Sequence, residues 1–241
     1  MDALRRVDGR AAAELRPVEI LTGVAPAANG SALIRCGHTQ VVCAASIVPS
    51  VPDWMVGRGV GWITAEYAML PYATQPRSKR ELERLSGRTQ EIRRLIGRSL
   101  RASLDLALLG ERTVYIDADV LQADGGTRTA SITGGWVALA LALRGLVAAG
   151  ELPDTALLTP VAAVSVGLYQ GQAILDLCYQ EDVHAEVDLN VVMDGQGRLI
   201  EVQGTAEGQA FRREQLDAML DLAEVGIATL LTRQQAVLQV A

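Results

Sequence analysis

A single lysine, Lys79, stands in a chain of 241 residues, and it belongs to no Gly-x-x-x-x-Gly-Lys-Ser/Thr loop. The loop that holds ATP phosphates against a lysine ammonium is therefore missing, which counts against a nucleotide-dependent phosphotransferase. Cysteine is scarce as well. Cys36, Cys43 and Cys178 lack metal-ligand spacing, so buried reduced thiols are expected rather than a disulfide or a zinc site. Long apolar runs are absent: the longest, Trp136 to Leu143, is too short to span a bilayer. Met1 to Arg6 carry no apolar signal core, and the expectation is a cytoplasmic protein. No repeat or low-complexity segment interrupts the chain. Its 49% hydrophobic content suffices for a substantial core, expected as one domain over residues 1–241.

Positive charge is also short overall, since the formal net charge of −6 argues against indiscriminate nucleic-acid binding. It is unevenly placed. Between Arg77 and Arg101 there are nine cations against three acids, a local excess of six that leaves −12 for the remainder. A cationic run is more often a solvated helix face than a ligand surface, and the shortage of matching acids weakens that reading here.

Short β-prone runs fill the first part of the chain: Ser31 to Arg35, Thr39 to Ile47 and Gly61 to Tyr67, separated by glycine-bearing turns. From Thr89 the apolar positions Ile92, Leu95, Ile96, Ser99, Leu100 and Leu104 recur at helical spacing, with Arg94, Arg98 and Arg101 on the other side and Arg88 at the start. A strand over Thr113 to Leu121 leads to a glycine pair and a helix expected over Thr129 to Ala149. Two hairpins follow, Val161 to Tyr169 with Gln172 to Tyr179, and Val187 to Met193 with Arg198 to Gln203. A last helix begins near Arg212, with Leu216, Met219, Leu220, Ala223 and Ile227 on one stripe. The class is α+β, with room for α/β-like crossovers.

Two segments carry chemistry. In Asp124-Gly125-Gly126-Thr127-Arg128-Thr129-Ala130-Ser131, adjacent glycines allow successive amides to face one side, and a helix opening there adds unpaired N–H groups and a positive dipole end. Arg128 supplies a planar fork for two phosphate oxygens. The second segment, Tyr179 to Asp188, holds Asp182 and Asp188. On one straight strand these would lie about 20 Å apart, given the rise per residue, so a shared metal ion requires a bend between them. The polar stretch Glu181 to His184 is where such a reversal fits. Two carboxylates with substrate phosphate and water suit Mg²⁺ or Mn²⁺; His184 reads as exposed loop.

The ordered series Gly61-Trp62-Ile63-Thr64-Ala65-Glu66-Tyr67, Gly87-Arg88-Thr89-Gln90-Glu91-Ile92, Val120 to Gly134 and Glu201-Val202-Gln203-Gly204-Thr205-Ala206-Glu207 resembles the bacterial ribonuclease PH family along nearly the whole chain. The resemblance implies a phosphorolytic 3′→5′ exoribonuclease that trims transfer-RNA precursors. It implies an α+β subunit of the ribosomal-protein-S5-domain-2-like kind, assembled as a homohexamer from dimers. It further implies that Arg88, Gly126, Thr127 and Arg128 hold inorganic phosphate, that Asp182 and Asp188 are the catalytic, metal-associated pair, and that Arg77 and Arg80 contact RNA. Asp176 matches a supporting acidic position. Two positions depart from the family: Tyr72 stands where arginine follows Met-Leu-Pro, and Ala68 where glycine is usual. A catalytically silent ring subunit is the rival reading, and the intact Arg128, Asp182 and Asp188 count against it.

Overall fold

A computed structural model describes residues 6–82, 84–153, 155 and 159–240. The first five residues, which the sequence marks as lacking a signal core, and Glu83 of the cationic run lie outside the described residues. Strands β1 (Val18–Thr22), β2 (Gly30–Cys36), β3 (Thr39–Val48), β4 (Trp62–Met69) and β5 (Thr113–Gln122) form one sheet in the order β1-β2-β3-β5-β4. Its ladders are antiparallel except that β4 runs parallel to β5. Parallel neighbours cannot be joined by a tight turn. The crossover is supplied by helix α1 (Gly87–Arg101) and the single turn α2 (Leu106–Leu109). The second sheet, ordered β7-β6-β8-β9, contains β6 (Val161–Tyr169), β7 (Gln172–Leu175), β8 (Val187–Asp194) and β9 (Leu199–Ala206), all antiparallel.

Helix α3 (Thr127–Ala148) lies between the sheets, touching β2, β3 and β5 on one side and β6 and β8 on the other. That location explains its composition. A helix covered all round has no polar face, and α3 buries an unbroken run from Thr129 to Ala140. By length and apolarity it passes the test for a membrane span, yet it is mostly buried inside the fold. Gly134 lets it approach the first sheet: a Cβ there would sit 2.8 Å from Ile34 Cγ2 and 2.9 Å from Cys43 Sγ. Helix α5 (Arg213–Val240) packs Met219, Ala223, Ile227 and Leu230 against the far face of the second sheet. Two large apolar cores result, one around α3 and one beneath α5, with a third small cluster of Ile174, Leu177 and Ala185.

The expected elements are present, with three corrections. Strand β1 lies outside the sequence reading, because its five residues after Pro17 are too few to show a period. The strand expected over Gln172 to Tyr179 stops at Leu175, where Asp176 turns left-handed at φ 55°. The four residues Tyr179–Asp182 then form a single helical turn, α4. Helix α3 begins at Thr127 rather than Thr129, since Gly125 and Gly126, at φ 74° and 65°, complete the turn before it. Of the three cysteines expected to be buried, Cys43 and Cys178 are buried and Cys36 is half-buried.

Asp176 has a structural reason for its backbone. Its carboxylate accepts from the Arg16 backbone N (2.8 Å), Nε (3.0 Å) and Nη2 (2.6 Å). Burial alone would raise its pKa, but the hydrogen bonds and charge of Arg16 outweigh burial and hold it below the ordinary 3.8. Asparagine tolerates left-handed backbone, so Asp176→Asn isolates the charge. Removing one partner of a buried pair typically costs about 3–5 kcal/mol. Because the folded-state pKa is depressed, this stabilisation is present above 3.8 and is lost as pH falls through the folded value. Urea unfolding should show Asp176→Asn well below wild type at pH 7, with the gap narrowing below pH 4; equal midpoints at pH 7 would contradict the assignment.

Candidate active site

Strand β5 delivers the chain to the glycine pair. Gly126 is the N-cap of α3, and no side chain caps that end. The first amides of the helix are therefore available to an anion. The loop is braced from behind. Thr39 Oγ1 donates to the Gly125 carbonyl (2.6 Å) and accepts from Asp124 N (2.9 Å), while the Arg16 guanidinium donates to the carbonyl of Asp124. The Asp124 amide is thus taken up by Thr39, while among the described residues no hydrogen bond engages the amides of Gly125 and Gly126. The Thr127 hydroxyl is paired with the buried Tyr67 hydroxyl at 2.9 Å.

The acidic arm packs directly on this loop. Glu181 in α4 is fully buried and accepts from Arg6 Nε (2.8 Å), Arg6 Nη2 (2.7 Å) and Cys178 N (3.1 Å), which fixes the turn that carries Asp182. Asp188 sits on β8 beyond the reversal. The Tyr179 amide donates to Asp124 Oδ1 at 3.2 Å, tying α4 to the glycine loop. Contact is closest at Gly125, where an added Cβ would lie 2.5 Å from the Leu177 carbonyl oxygen and 3.0 Å from Tyr179 N.

The two arms enclose a cavity of about 380 Å³ into which Arg88, Gly126, Thr127, Arg128, Asp182 and Asp188 all project. Arg88 reaches it from the second position of α1, whose N-terminus is capped by Ser86 accepting from Thr89 N at 3.1 Å. Arg128 is oriented on its outer side: Nη1 donates to Gln203 Oε1 (3.3 Å), Nη2 lies 3.7 Å from Glu91 Oε2, and Gln203 Nε2 donates to Glu91 Oε1 (3.0 Å). Burial pushes the Asp188 carboxyl up to about 6, with the charge of Asp182 adding to it and Arg128 and Arg88 opposing. Burial also raises Asp182. Two mutually repelling carboxylates that burial makes reluctant to ionise form a site that favours a cation. Among the described residues no third histidine, cysteine or acid joins them. Such a pair fits a hard divalent ion completed by substrate phosphate and water.

Other sequence candidates lie elsewhere. Arg77 and Arg80 are exposed on the segment before α1 and do not line the cavity, although Thr74 and Gln75 of the same segment do. Burial raises the pKa of Asp119 on β5, and the charge of nearby Arg80 opposes that rise without overcoming it. Asp176 lies behind the glycine loop as the partner of Arg16. Tyr72, 66% exposed, lines a larger and more open cavity of about 1500 Å³ that adjoins the first through Thr74, Gln75, Ala123 and Tyr179. His184 is exposed, its ring nitrogen bonded to the Gln180 carbonyl at 2.8 Å. The sequence reading gave no role to Arg16, Tyr67, Glu91 or Gln203. The last three stand inside the quoted motifs, which is the one signal that marks them.

Gly125→Ala should test the contact between the arms, because the new methyl meets the backbone of Leu177, Cys178 and Tyr179 and φ 74° disfavours it. A displacement of about 1 Å between reacting groups costs on the order of a hundredfold in rate. Turnover should fall by that order while circular dichroism keeps its native shape; a rate within twofold of wild type would show that the arms do not need this contact.

Comparison with known proteins agrees with the geometry. Residues 14–144 match the model of the 3′ exoribonuclease family, domain 1, and residues 159–226 match domain 2 of the same family. Ribonuclease PH of Cyanothece sp. is 58% identical over 234 residues, covering 97% of this chain and 98% of that protein. Ribonuclease PH of Moorella thermoacetica is 59% identical over 235 residues, covering 97% and 94%. Among solved structures, a chain of the Archaeoglobus fulgidus exosome with RNA bound to the active site superposes with TM-score 0.78 at 24% identity, over 95% of this chain and 92% of that one. Rice Rrp46 superposes with TM-score 0.78 at 19% identity, over 97% and 100%. These two share the fold expected from the sequence. The chain belongs to the ribonuclease PH family of phosphorolytic 3′→5′ exoribonucleases.

Proposed function

We propose that this chain trims the 3′ ends of transfer-RNA precursors, with Arg88, Gly126, Thr127 and Arg128 holding inorganic phosphate and Asp182 and Asp188 facing the scissile phosphodiester. The observation that carries the reading is the single cavity in which two arginines and an uncapped helix N-terminus stand opposite two carboxylates. Phosphate and phosphodiester repel each other. Arg88, Arg128 and the cradle amides neutralise and orient the attacking anion before it meets the ester. Attack by a phosphate oxygen forms a new P–O bond and breaks the bond to the 3′ oxygen, releasing a nucleoside 5′-diphosphate. That 3′ oxygen takes up a proton and ends the shortened chain. Because one phosphoric linkage replaces another, abundant nucleoside diphosphate drives nucleotide addition.

Asp182 and Asp188 would hold Mg²⁺, with Mn²⁺ as the alternative, and the ion would supply positive charge at the scissile phosphate. Arg77 and Arg80 contact the incoming RNA backbone; both are exposed on the segment that runs from the cavity wall to α1. The assembly is a homohexamer, a trimer of dimers. The resemblance supports it. The location is cytoplasmic, with the transfer-RNA precursors.

Incubation with RNA and Mg²⁺ should shorten the RNA only when phosphate is present and yield nucleoside diphosphates; monophosphates formed without phosphate would refute phosphorolysis. Asp182→Asn and Asp188→Asn should each lower turnover by on the order of a hundredfold or more with the fold intact, and near wild-type rates would remove that residue from the site. Light scattering should give the mass of six chains, and an active monomer would contradict the ring.

A further inference from the structure

Two polar side chains in the cavity wall take no part in that division of labour. Ser165 on β6 and Asn190 on β8 are cross-strand neighbours, and both line the cavity. They retain only 3% and 5% exposure. Side chains two residues apart on a strand share a face, so Asn190 projects beside Asp188. Ser165 Oγ accepts from Leu177 N at 3.2 Å. Among the described residues its own proton meets no acceptor, and no hydrogen bond reaches the Asn190 amide. With no protein partner and not sealed within the core, the Asn190 amide opens onto the cavity.

Position gives the pair a role. Ser165 Oγ lies 3.8 Å from where a side chain on Gly126 would begin, so Ser165 adjoins the N-cap of α3 with Asn190 across the strand pair from it, while the cross-strand neighbour of Asp188 is Gly167. The open donors thus stand at the phosphate end of the cavity. Their neutrality fits that place. A third arginine beside Asp188 would be captured by the carboxylates, whereas a hydroxyl and an amide bind an oxyanion without neutralising the acidic pair.

We propose that Ser165 and Asn190 complete the phosphate site, the Ser165 hydroxyl and the Asn190 side-chain N–H each donating to an oxygen of the inorganic phosphate held by Arg88 and Arg128. This deepens the proposed function and rests on Arg128 being a phosphate ligand.

Ser165→Ala, Asn190→Ala, the isosteric Asn190→Asp and Arg128→Lys would be compared by titrating phosphate at saturating RNA, RNA at saturating phosphate, and Mg²⁺ at fixed levels of both. The phosphate-dependent rise in Tm without RNA gives a readout independent of turnover. Loss of one hydrogen bond to a charged oxygen should raise the phosphate KM about tenfold in each alanine variant, with the RNA KM unchanged and the phosphate-dependent Tm rise reduced. Asn190→Asp should raise the phosphate KM further, since it sets an anion against an anion. Unchanged phosphate KM in both alanine variants would overturn the inference, as would a drop in Tm without phosphate as their only change. A lower Mg²⁺ requirement in Asn190→Asp at unchanged phosphate KM would turn the Asn190 oxygen toward the metal instead, and would also overturn it. If Arg128→Lys raises the phosphate KM while the other three do not, the inference alone fails; if Arg128→Lys does not raise it either, the reading of the cradle fails as well.

Discussion

Arg16 touches both arms of the site at once. Asp176, at the end of β7, grips its backbone amide, Nε and Nη2, and the same guanidinium donates to the backbone carbonyl of Asp124 in the glycine loop. The acidic arm and the phosphate cradle are thereby fixed to one planar group, whose geometry varies little. Gly125 makes this possible by carrying no side chain where Leu177 and Tyr179 approach. Asp176 pays for its left-handed backbone with three hydrogen bonds, and the reversal that brings Asp182 and Asp188 together begins from that residue.

A second ionic contact repeats the pattern one step further on. Arg6 and Glu181 are both fully buried as side chains, and the Arg6 guanidinium also donates to the carbonyls of Leu175 and Asp176. Burying charge without a partner is costly, and removing either member strands the other. The segment before β1 therefore acts as a clasp over the acidic arm. Each arginine satisfies carbonyls that strand ladders leave open: Arg6 at the exit from β7, Arg16 in the glycine loop after β5. The site's rigidity comes from these clasps, since α4 is too short to hold its own shape.

Local pattern made the cradle, the amphipathic stripe of α1 and both late hairpins legible in the sequence. Glycines before a helix, apolar residues at helical spacing and turn residues between β-runs are short-range signals, and Arg88, Gly126, Thr127, Arg128, Asp182 and Asp188 lie on or beside them. What could not be read this way is pairing across long stretches of chain. Tyr67 meets Thr127 over 60 residues, Gln203 meets Arg128 over 75, and Asp176 meets Arg16 over 160. Such contacts depend on how the two sheets close on α3, which no period encodes. Asp176 illustrates the limit: the resemblance gave it only as a supporting acidic position, whereas its burial against Arg16 makes it a brace. The early start of α3 has the same origin, because the turn is completed by two left-handed glycines held from behind by Thr39 and Arg16.

Charge around the cavity explains why so many neutral donors line it. Arg88 and Arg128 are cancelled by Asp182 and Asp188, so the four side chains together offer no net attraction to an anion. Inorganic phosphate and one phosphodiester bring about three negative charges between them. The N-terminus of α3 contributes roughly half a positive charge, and a divalent ion at the aspartates, as proposed above, supplies most of the rest. The arrangement of Arg128 follows from this scarcity. Gln203 at 3.3 Å and Glu91 at 3.7 Å hold the guanidinium loosely. A short bidentate pair with Glu91 would occupy both faces of the fork and leave nothing for phosphate. Interposing an amide that itself binds Glu91 keeps the arginine aimed while its inward N–H groups stay open to the cavity.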